Sequence, residues 1–299
     1  EQERSAVIKQ AFKECGYDDE DGKLLKSVKW HISNAKMLGL PPRDYALRYR
    51  AEGTVVETAV KVYEAYNAHL KAYNALDFDD LLTETLALLQ EDAEALEYLS
   101  GRFRYVHVDE FQDTNAVQFE IVKCLASVHG NLFVVGDDDQ SIYGWRGAKI
   151  ENILGFERVY PKAKVYKLQQ NYRSTKSILA LANASIAHNA HRKGKTLHTD
   201  NPDGTPPVYY EAEDETAEAL YCARNIMNLR AQGYRLSDFA VLMRINALTR
   251  SFEQEFTKYG ISYKVFGGFK FFERKEIKDI LAYLRVAGNP FDSEAVARI

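Results

Sequence analysis

Tyr105-Val106-His107-Val108-Asp109-Glu110 is a short β-prone run that ends in two carboxylates. Asn131-Leu132-Phe133-Val134-Val135 is a second such run, closed by Gly136 and the aspartates Asp137, Asp138 and Asp139. Between them, Ala116 to Val128 has the apolar spacing of a helix. Strand, helix, strand is the signature of a parallel α/β sheet. Lys164 to Leu168 reads as a further strand, and Pro207 to Glu211, Phe239 to Met243 and Tyr263 to Phe266 as later ones. Helices are expected over Thr175 to His188, Glu215 to Ala231, Leu248 to Tyr259 and Glu273 to Val286. The stretch from Asp200 to Pro207 is the clearest loop.

Upstream of Arg102 the pattern is helical. Glu1 to Cys15 lines up Val7, Ile8, Ala11 and Phe12, and Gly16 follows as a stop. Lys23 to Met37 and Thr54 to Ala75 carry similar stripes, and Asp77 is placed to cap a helix holding Leu81, Leu82 and Leu86. Trp30 and His31 are expected to be packing residues.

The 299 residues are 46% apolar and 27% charged, a balance that excludes disorder. The net charge of −4 excludes a globally basic coat, so any polyanion site is a local patch. No apolar run approaches the ~18 residues of a membrane span, and Glu1-Gln2-Glu3-Arg4 does not open a signal peptide. Cys15, Cys124 and Cys222 match no metal spacing or disulfide framework; buried thiols in a reducing cytoplasm are expected.

An acid at the C-terminal end of a parallel strand stands where α/β proteins bind ligands. In nucleotide hydrolases such an aspartate helps hold Mg²⁺, and an adjacent acid orients or deprotonates the attacking water. On that pair alone, a solvated helix N-terminus would be the better reading. The neighbouring blocks change the balance. Asp109-Glu110-Phe111-Gln112-Asp113-Thr114-Asn115 is followed by Gly136-Asp137-Asp138-Asp139-Gln140-Ser141-Ile142-Tyr143-Gly144-Trp145-Arg146-Gly147, then by Leu168-Gln169-Gln170-Asn171-Tyr172-Arg173-Ser174-Thr175. In this order they resemble motifs II, III and IV of superfamily 1 DNA helicases, and of the UvrD/PcrA/Rep branch in particular. The resemblance extends upstream through Asp77-Phe78-Asp79-Asp80-Leu81-Leu82 and downstream through Gly267-Gly268-Phe269-Lys270-Phe271-Phe272-Glu273-Arg274.

The resemblance implies an α/β fold: parts of two RecA-like, parallel-sheet P-loop NTPase domains with a helical accessory domain at the N-terminus. Residues 1–103 would be the 1B-like helical domain and 104–169 the later part of the first RecA-like domain. Residues 170–266 would begin the second RecA-like domain, and 267–299 would enter a 2B-like helical domain. The implied cofactors are ATP and Mg²⁺. Asp109 would hold the metal, Glu110 would act on the hydrolytic water, and Gln140 would contact the γ-phosphate. Tyr172 would stack near the base, and Arg173 would be an arginine finger. Tyr143, Trp145 and Arg146 would face DNA, an aromatic platform and a guanidinium that read no sequence.

Arg192, Lys193 and Lys195 each read as a solvated face, with phosphate backbone contact as the alternative. A P-loop is absent: Gly194-Lys195-Thr196 imitates its end, but Asn189 stands at the first glycine's position and a helix precedes it. Motifs V and VI are absent too, so an internal section of a larger helicase is expected, inactive alone. Gln169 departs from the family's usual glutamate. The implied function is ATP-driven 3′-to-5′ translocation on single-stranded DNA and unwinding at duplex junctions, in repair or replication and alongside proteins of those processes. Two rivals stay open: a helicase–nuclease subunit, and a non-catalytic DNA- or partner-binding module.

Overall fold

Apolar side chains at three- and four-residue spacing fold the N-terminal part of the chain into helices around one core. In the computed structural model, α1 (Gln2–Glu14), α2 (Lys23–Met37), α3 (Pro42–Arg48) and α4 (Thr54–Ala72) bury Ile8, Phe12, Val28, Ile32, Tyr45, Val62 and Tyr66 together. Pro42 opens α3 at the first helical position, where the missing N–H has no helical partner to lose. α5 (Asp80–Glu91) and α6 (Ala93–Arg102) follow. The structure describes residues 2–20, 22–190, 192–266, 275–288, 295, 298 and 299.

Asp77 starts α5 as expected. Its Oδ1 accepts the Asp80 N–H at 2.8 Å, and Asp80 Oδ2 accepts the Asp77 N–H at 3.1 Å. The same two carboxylates close over a buried ammonium. Lys36, 2% exposed, donates to Asp77 Oδ2 at 2.9 Å and to Asp80 Oδ1 at 2.6 Å. The Tyr66 hydroxyl donates to Asp77 Oδ2 at 2.8 Å, and Arg4 lies 3.4 Å from the same oxygen. Burial pushes the Asp77 carboxyl up, but its bonds from Lys36, the Asp80 N–H and Tyr66 hold it below the usual carboxylate range.

β1 (Val106–Val108) and β2 (Leu132–Val134) pair in parallel, with His107 opposite Phe133. α7 (Ala116–Leu125) makes the crossover. It begins with a capping box: Asn115 Oδ1 accepts the Gln118 N–H and Gln118 Oε1 accepts the Asn115 N–H, both at 2.9 Å. α8 (Ile150–Leu154), α9 (Phe156–Val159) and α10 (Lys176–Ile186) follow. Phe111, Phe119 and Phe156 form the core against Val108, Leu132 and Val134, with Phe111 edge-on to both other rings.

The chain divides into two compact units, Glu1–Pro207 and Val208–Ile299. The second holds α11 (Glu215–Ala231), α12 (Thr249–Lys258) and α13 (Lys275–Gly288), with Ala219, Ala223, Ile226, Phe252 and Phe256 at its core. Asp214 caps α11 by accepting the Ala217 N–H at 2.7 Å.

Four expected strands do not form. Lys164 to Leu168, Pro207 to Glu211, Phe239 to Met243 and Tyr263 to Phe266 lie outside regular secondary structure. A β-prone run becomes a strand only where its N–H and C=O groups meet a neighbouring backbone. Among the described residues these runs find no partner strand, and Tyr166, Leu168, Val208, Tyr209, Leu242 and Phe266 stay exposed. Among the described residues the fold is a mostly helical α/β arrangement with one small parallel sheet, less sheet than two RecA-like halves would hold. His31 is buried as expected and meets the Tyr45 hydroxyl at 2.9 Å, but Trp30 is 54% exposed, because it faces away from the core stripe of α2. The three cysteines are free but only half-buried. The Gly267–Arg274 string lies outside the described residues. Among them, no helix is long and apolar enough to cross a membrane.

Removing the buried ammonium leaves carboxylates against too little positive charge. Lys36→Ala should lower unfolding stability by about 3–5 kcal/mol, read by urea denaturation of this chain. A loss below about 1 kcal/mol would show that the cluster does not hold α2 to α5.

Candidate functional site

Parallel pairing puts the C-terminal ends of β1 and β2 on one edge. Two backbone bonds extend the pairing beyond the strands: the Val135 N–H donates to Val108 O at 2.8 Å, and the Phe111 N–H donates to Val135 O at 2.9 Å. Between these bonds lie Asp109 and Glu110. Glu110 turns the chain with φ +49° and ψ +42°, a left-handed conformation uncommon outside glycine. Asp109 Oδ1 accepts the Glu110 N–H at 2.9 Å, and both side chains face solvent. Asp109 therefore keeps its second oxygen for a ligand. One exposed carboxylate with bound water and phosphate is the donor set that Mg²⁺ takes.

Gln112 is fully buried beside them. Its Nε2 donates to Glu110 Oε2 at 2.8 Å, and its Oε1 accepts the Asp137 N–H at 2.9 Å. Gly136 makes room for that amide. A Cβ there would stand 2.6 Å from Gln112 Oε1 and 2.9 Å from Ile153 Cδ1. The Asp113 carboxyl is raised, by burial first and then by the Glu110 charge.

Gln140 ends a 3₁₀ turn, Asp138–Gln140, and its Nε2 donates to Asp137 Oδ2 at 2.8 Å. The other Asp137 oxygen pairs with the Lys195 ammonium. Burial pushes the Asp137 carboxyl up, but its bonds from Lys195, Gln140 and the Asp139 N–H outweigh this and hold it low. Arg192 grips Asp139 with two bonds, of 2.8 and 2.6 Å, and the Lys193 N–H donates to Asp138 Oδ2 at 2.7 Å. Neither reading of this basic segment from the sequence holds: Asp139 and Asp137 take up the Arg192 and Lys195 charges, and Glu157 pairs with the Lys193 ammonium.

A 3₁₀ turn, Gly144–Arg146, carries the aromatic pair. The Tyr143 and Trp145 rings lie 6.4 Å apart, and the Arg146 guanidinium lies 5.4 and 4.7 Å from them. Trp145 is 68% exposed, which removes the reading of a buried anchor. Gly147, at φ +83°, ends the turn against Met37.

Tyr172 and Arg173 stand apart. Asn171 Oδ1 accepts the N–H groups of Arg173 and Ser174 at 3.0 and 2.8 Å, which shapes a turn with both side chains exposed. Among the described residues, no hydrogen bond or ion pair joins Tyr172 or Arg173 to Asp109, Glu110 or Gln140. The structure thus brings together Asp109, Glu110 and Gln140, and separately Tyr143, Trp145 and Arg146. Sequence reasoning gave no role to Gln112 or Asp137 and left the basic segment unpaired. The available signal was a run of three consecutive acids and a run of three cations within four residues.

Comparison with known proteins places the chain in a family. Residues 1–161 match the model of the UvrD/REP helicase N-terminal domain, and residues 166–299 match that of the UvrD-like helicase C-terminal domain. The ATP-dependent DNA helicase PcrA of Staphylococcus epidermidis is 51% identical over 268 residues, 90% of this chain and 36% of that protein. The Leuconostoc citreum protein of the same name is 49% identical over 275 residues, 92% of this chain and again 36% of the relative. The chain therefore spans little more than a third of the length of these relatives. With two family models covering nearly all of it and such relatives at about half identity, the chain belongs to the UvrD/Rep helicase family.

Proposed function

We propose that this chain is a section of an ATP-dependent DNA helicase that moves 3′ to 5′ along single-stranded DNA and opens duplex at junctions, in repair or replication. The observation that carries this reading is the shared edge of β1 and β2. Two exposed acids and an amide are tied together there, and the Tyr143–Trp145–Arg146 platform starts three residues beyond the amide. In this reading residues 1–103 are a 1B-like helical domain. The first RecA-like domain continues over 104–169, the second begins over 170–266, and 267–299 enter a 2B-like domain. The protein acts in the cytoplasm, and the 299 residues alone turn over little or no ATP.

The residues support a division of labour. Asp109 offers hard oxygen to Mg²⁺, whose charge neutralises phosphate oxygens when bound. Glu110 accepts a proton from, or orients, the attacking water, and the Gln112 amide fixes one of its oxygens. Gln140 can donate to a γ-phosphate and accept from water. Arg173, exposed and without an acidic partner among the described residues, is available to place its fork on developing phosphate charge. Tyr172, 84% exposed, is free to stack on a base. Trp145 stacks on DNA bases of any sequence, and Arg146 adds charge for the phosphates.

Two substitutions in the full-length helicase test these roles. Glu110→Gln keeps the side chain's shape, so it should bind ATP while hydrolysing it about 10²-fold or more slowly; near-normal turnover would remove the role. Trp145→Ala should weaken single-stranded DNA binding by about 1–3 kcal/mol, read by anisotropy of a labelled oligonucleotide. Unchanged affinity would remove the DNA-stacking role of Trp145.

A further inference from the structure

The acids and the amide at the β1–β2 edge have few bonds of their own. Glu110 receives one side-chain bond, from Gln112. Gln140 is exposed, and its amide is held by Asp137. Gln112 and Asp137 are joined to each other through the Asp137 N–H. The result is a continuous chain, Glu110–Gln112–Asp137–Gln140, with every link between 2.8 and 2.9 Å. It ends on a charge from elsewhere in the sequence, the Lys195 ammonium at Asp137 Oδ1.

The segment that supplies this charge is itself fastened. Lys167 Nζ donates to the carbonyls of Lys193 and Gly194 at 3.0 and 2.7 Å, and Lys193 Nζ pairs with Glu157 at 2.5 Å. The Arg192–Asp139 pair is mostly shielded from solvent, with side chains 16% and 11% exposed, and is bidentate. Planar two-point pairing fixes orientation as well as distance. Salt screens such a pair less than it screens surface ion pairs. The Asp137–Asp139 run is thus held from both sides, by Gln112 within the sheet edge and by residues 192–195 across from it.

We propose that Gln112 and Asp137 are positioning residues for ATP hydrolysis, and that docking of Arg192 and Lys195 on Asp139 and Asp137 sets the placement of Gln140 and, through Gln112, of Glu110. This rests on the helicase reading above and names how its site is governed. With the segment docked, the Gln140 amide is oriented and Glu110 is braced. With it released, Asp137 loses its counter-charge, and two side chains that must meet water and phosphate lose their fixed direction. Misplacement of about 1 Å at such a site costs on the order of 10²-fold in rate.

The test uses Asp137→Asn, Lys195→Ala and the conservative Lys195→Arg, read in two ways. In this 299-residue chain under native conditions, trypsin should cut after Arg192 and Lys193 slowly in the wild type and in Lys195→Arg. It should cut at least about tenfold faster in Asp137→Asn and Lys195→Ala, with thermal unfolding midpoints recorded beside it. Equal cutting in all four proteins would overturn the docking. In the full-length helicase, Asp137→Asn and Lys195→Ala should lower the kcat of DNA-stimulated ATP hydrolysis about tenfold or more. KM for ATP should stay within about twofold, and Lys195→Arg should recover most of the rate. Faster cutting with unchanged kcat would overturn the positioning role and leave the helicase reading standing. Wild-type full-length protein without DNA-stimulated turnover would overturn the helicase reading, and the positioning role with it.

Discussion

Two backbone hydrogen bonds at Val135, one from the Phe111 N–H and one to Val108 O, set the edge of this protein that carries Asp109, Glu110 and Gln140. Parallel strands end on the same side, so a short pairing is enough to place residues 109–112 beside residues 136–140. An antiparallel pairing of the same two runs would have set these ends on opposite edges. The phenylalanine cluster of Phe111, Phe119 and Phe156 packs the pair from one face and buries Phe111 completely. Phe111 therefore has two functions. Its ring anchors the core, and its N–H locks the turn that presents Asp109 and Glu110.

Charge is buried in two places, with different consequences. Lys36 sits almost fully buried between Asp77 and Asp80; Tyr66 and Arg4 share Asp77 Oδ2 with it, and the remaining oxygens accept the Asp80 and Asp77 N–H groups. Such a cluster fixes how helices meet, because breaking it strands a charge where water cannot reach. The Arg192–Lys195 segment pairs with carboxylates at the boundary of solvent, where water can replace a lost partner at modest cost. That difference suits the second set to reversible docking and the first to permanent structure.

The longer helices were legible in the sequence to within a few residues, two of them with the same span, while the short α8 and α9 were not read. Glu215 to Ala231 and Lys23 to Met37 form over the spans their apolar spacing implies. Helical hydrogen bonds are local, so the stretch itself contains the information. Strands depend on distant neighbours. Val106–Val108 and Leu132–Val134 form because each finds the other, whereas Val208, Leu242 and Phe266 lie in runs of equal β-propensity that find no pair and stay exposed. The site divides the same way. Asp109, Glu110 and Gln140 were readable as members of linear motifs. The Gln112 bridge and the Lys195–Asp137 pair exist only once residues far apart in sequence are folded together.

The backbone at Glu110 shows how the competing demands are settled. A left-handed conformation costs a non-glycine residue about 1–3 kcal/mol. Glycine would adopt it with little strain. The position carries glutamate, so the strain must be held by its surroundings: the Phe111 N–H bond to Val135, the Asp113 N–H bond to the Glu110 carbonyl at 2.9 Å, and Gln112 on the carboxylate. Those bonds are made by neighbours that are themselves buried or paired, so the turn cannot relax without disturbing the sheet edge. What the strain secures is direction. The left-handed turn leads the chain off β1 at once and leaves the Asp109 and Glu110 carboxylates at the strand end, next to Gln140 rather than along a helix pointing away. A glycine would keep the turn and lose the acid, and an unstrained glutamate would keep the acid and lose its place. The turn thus fixes where the Glu110 carboxylate stands, at the strand end and bound through Gln112 to the Asp137–Gln140 loop.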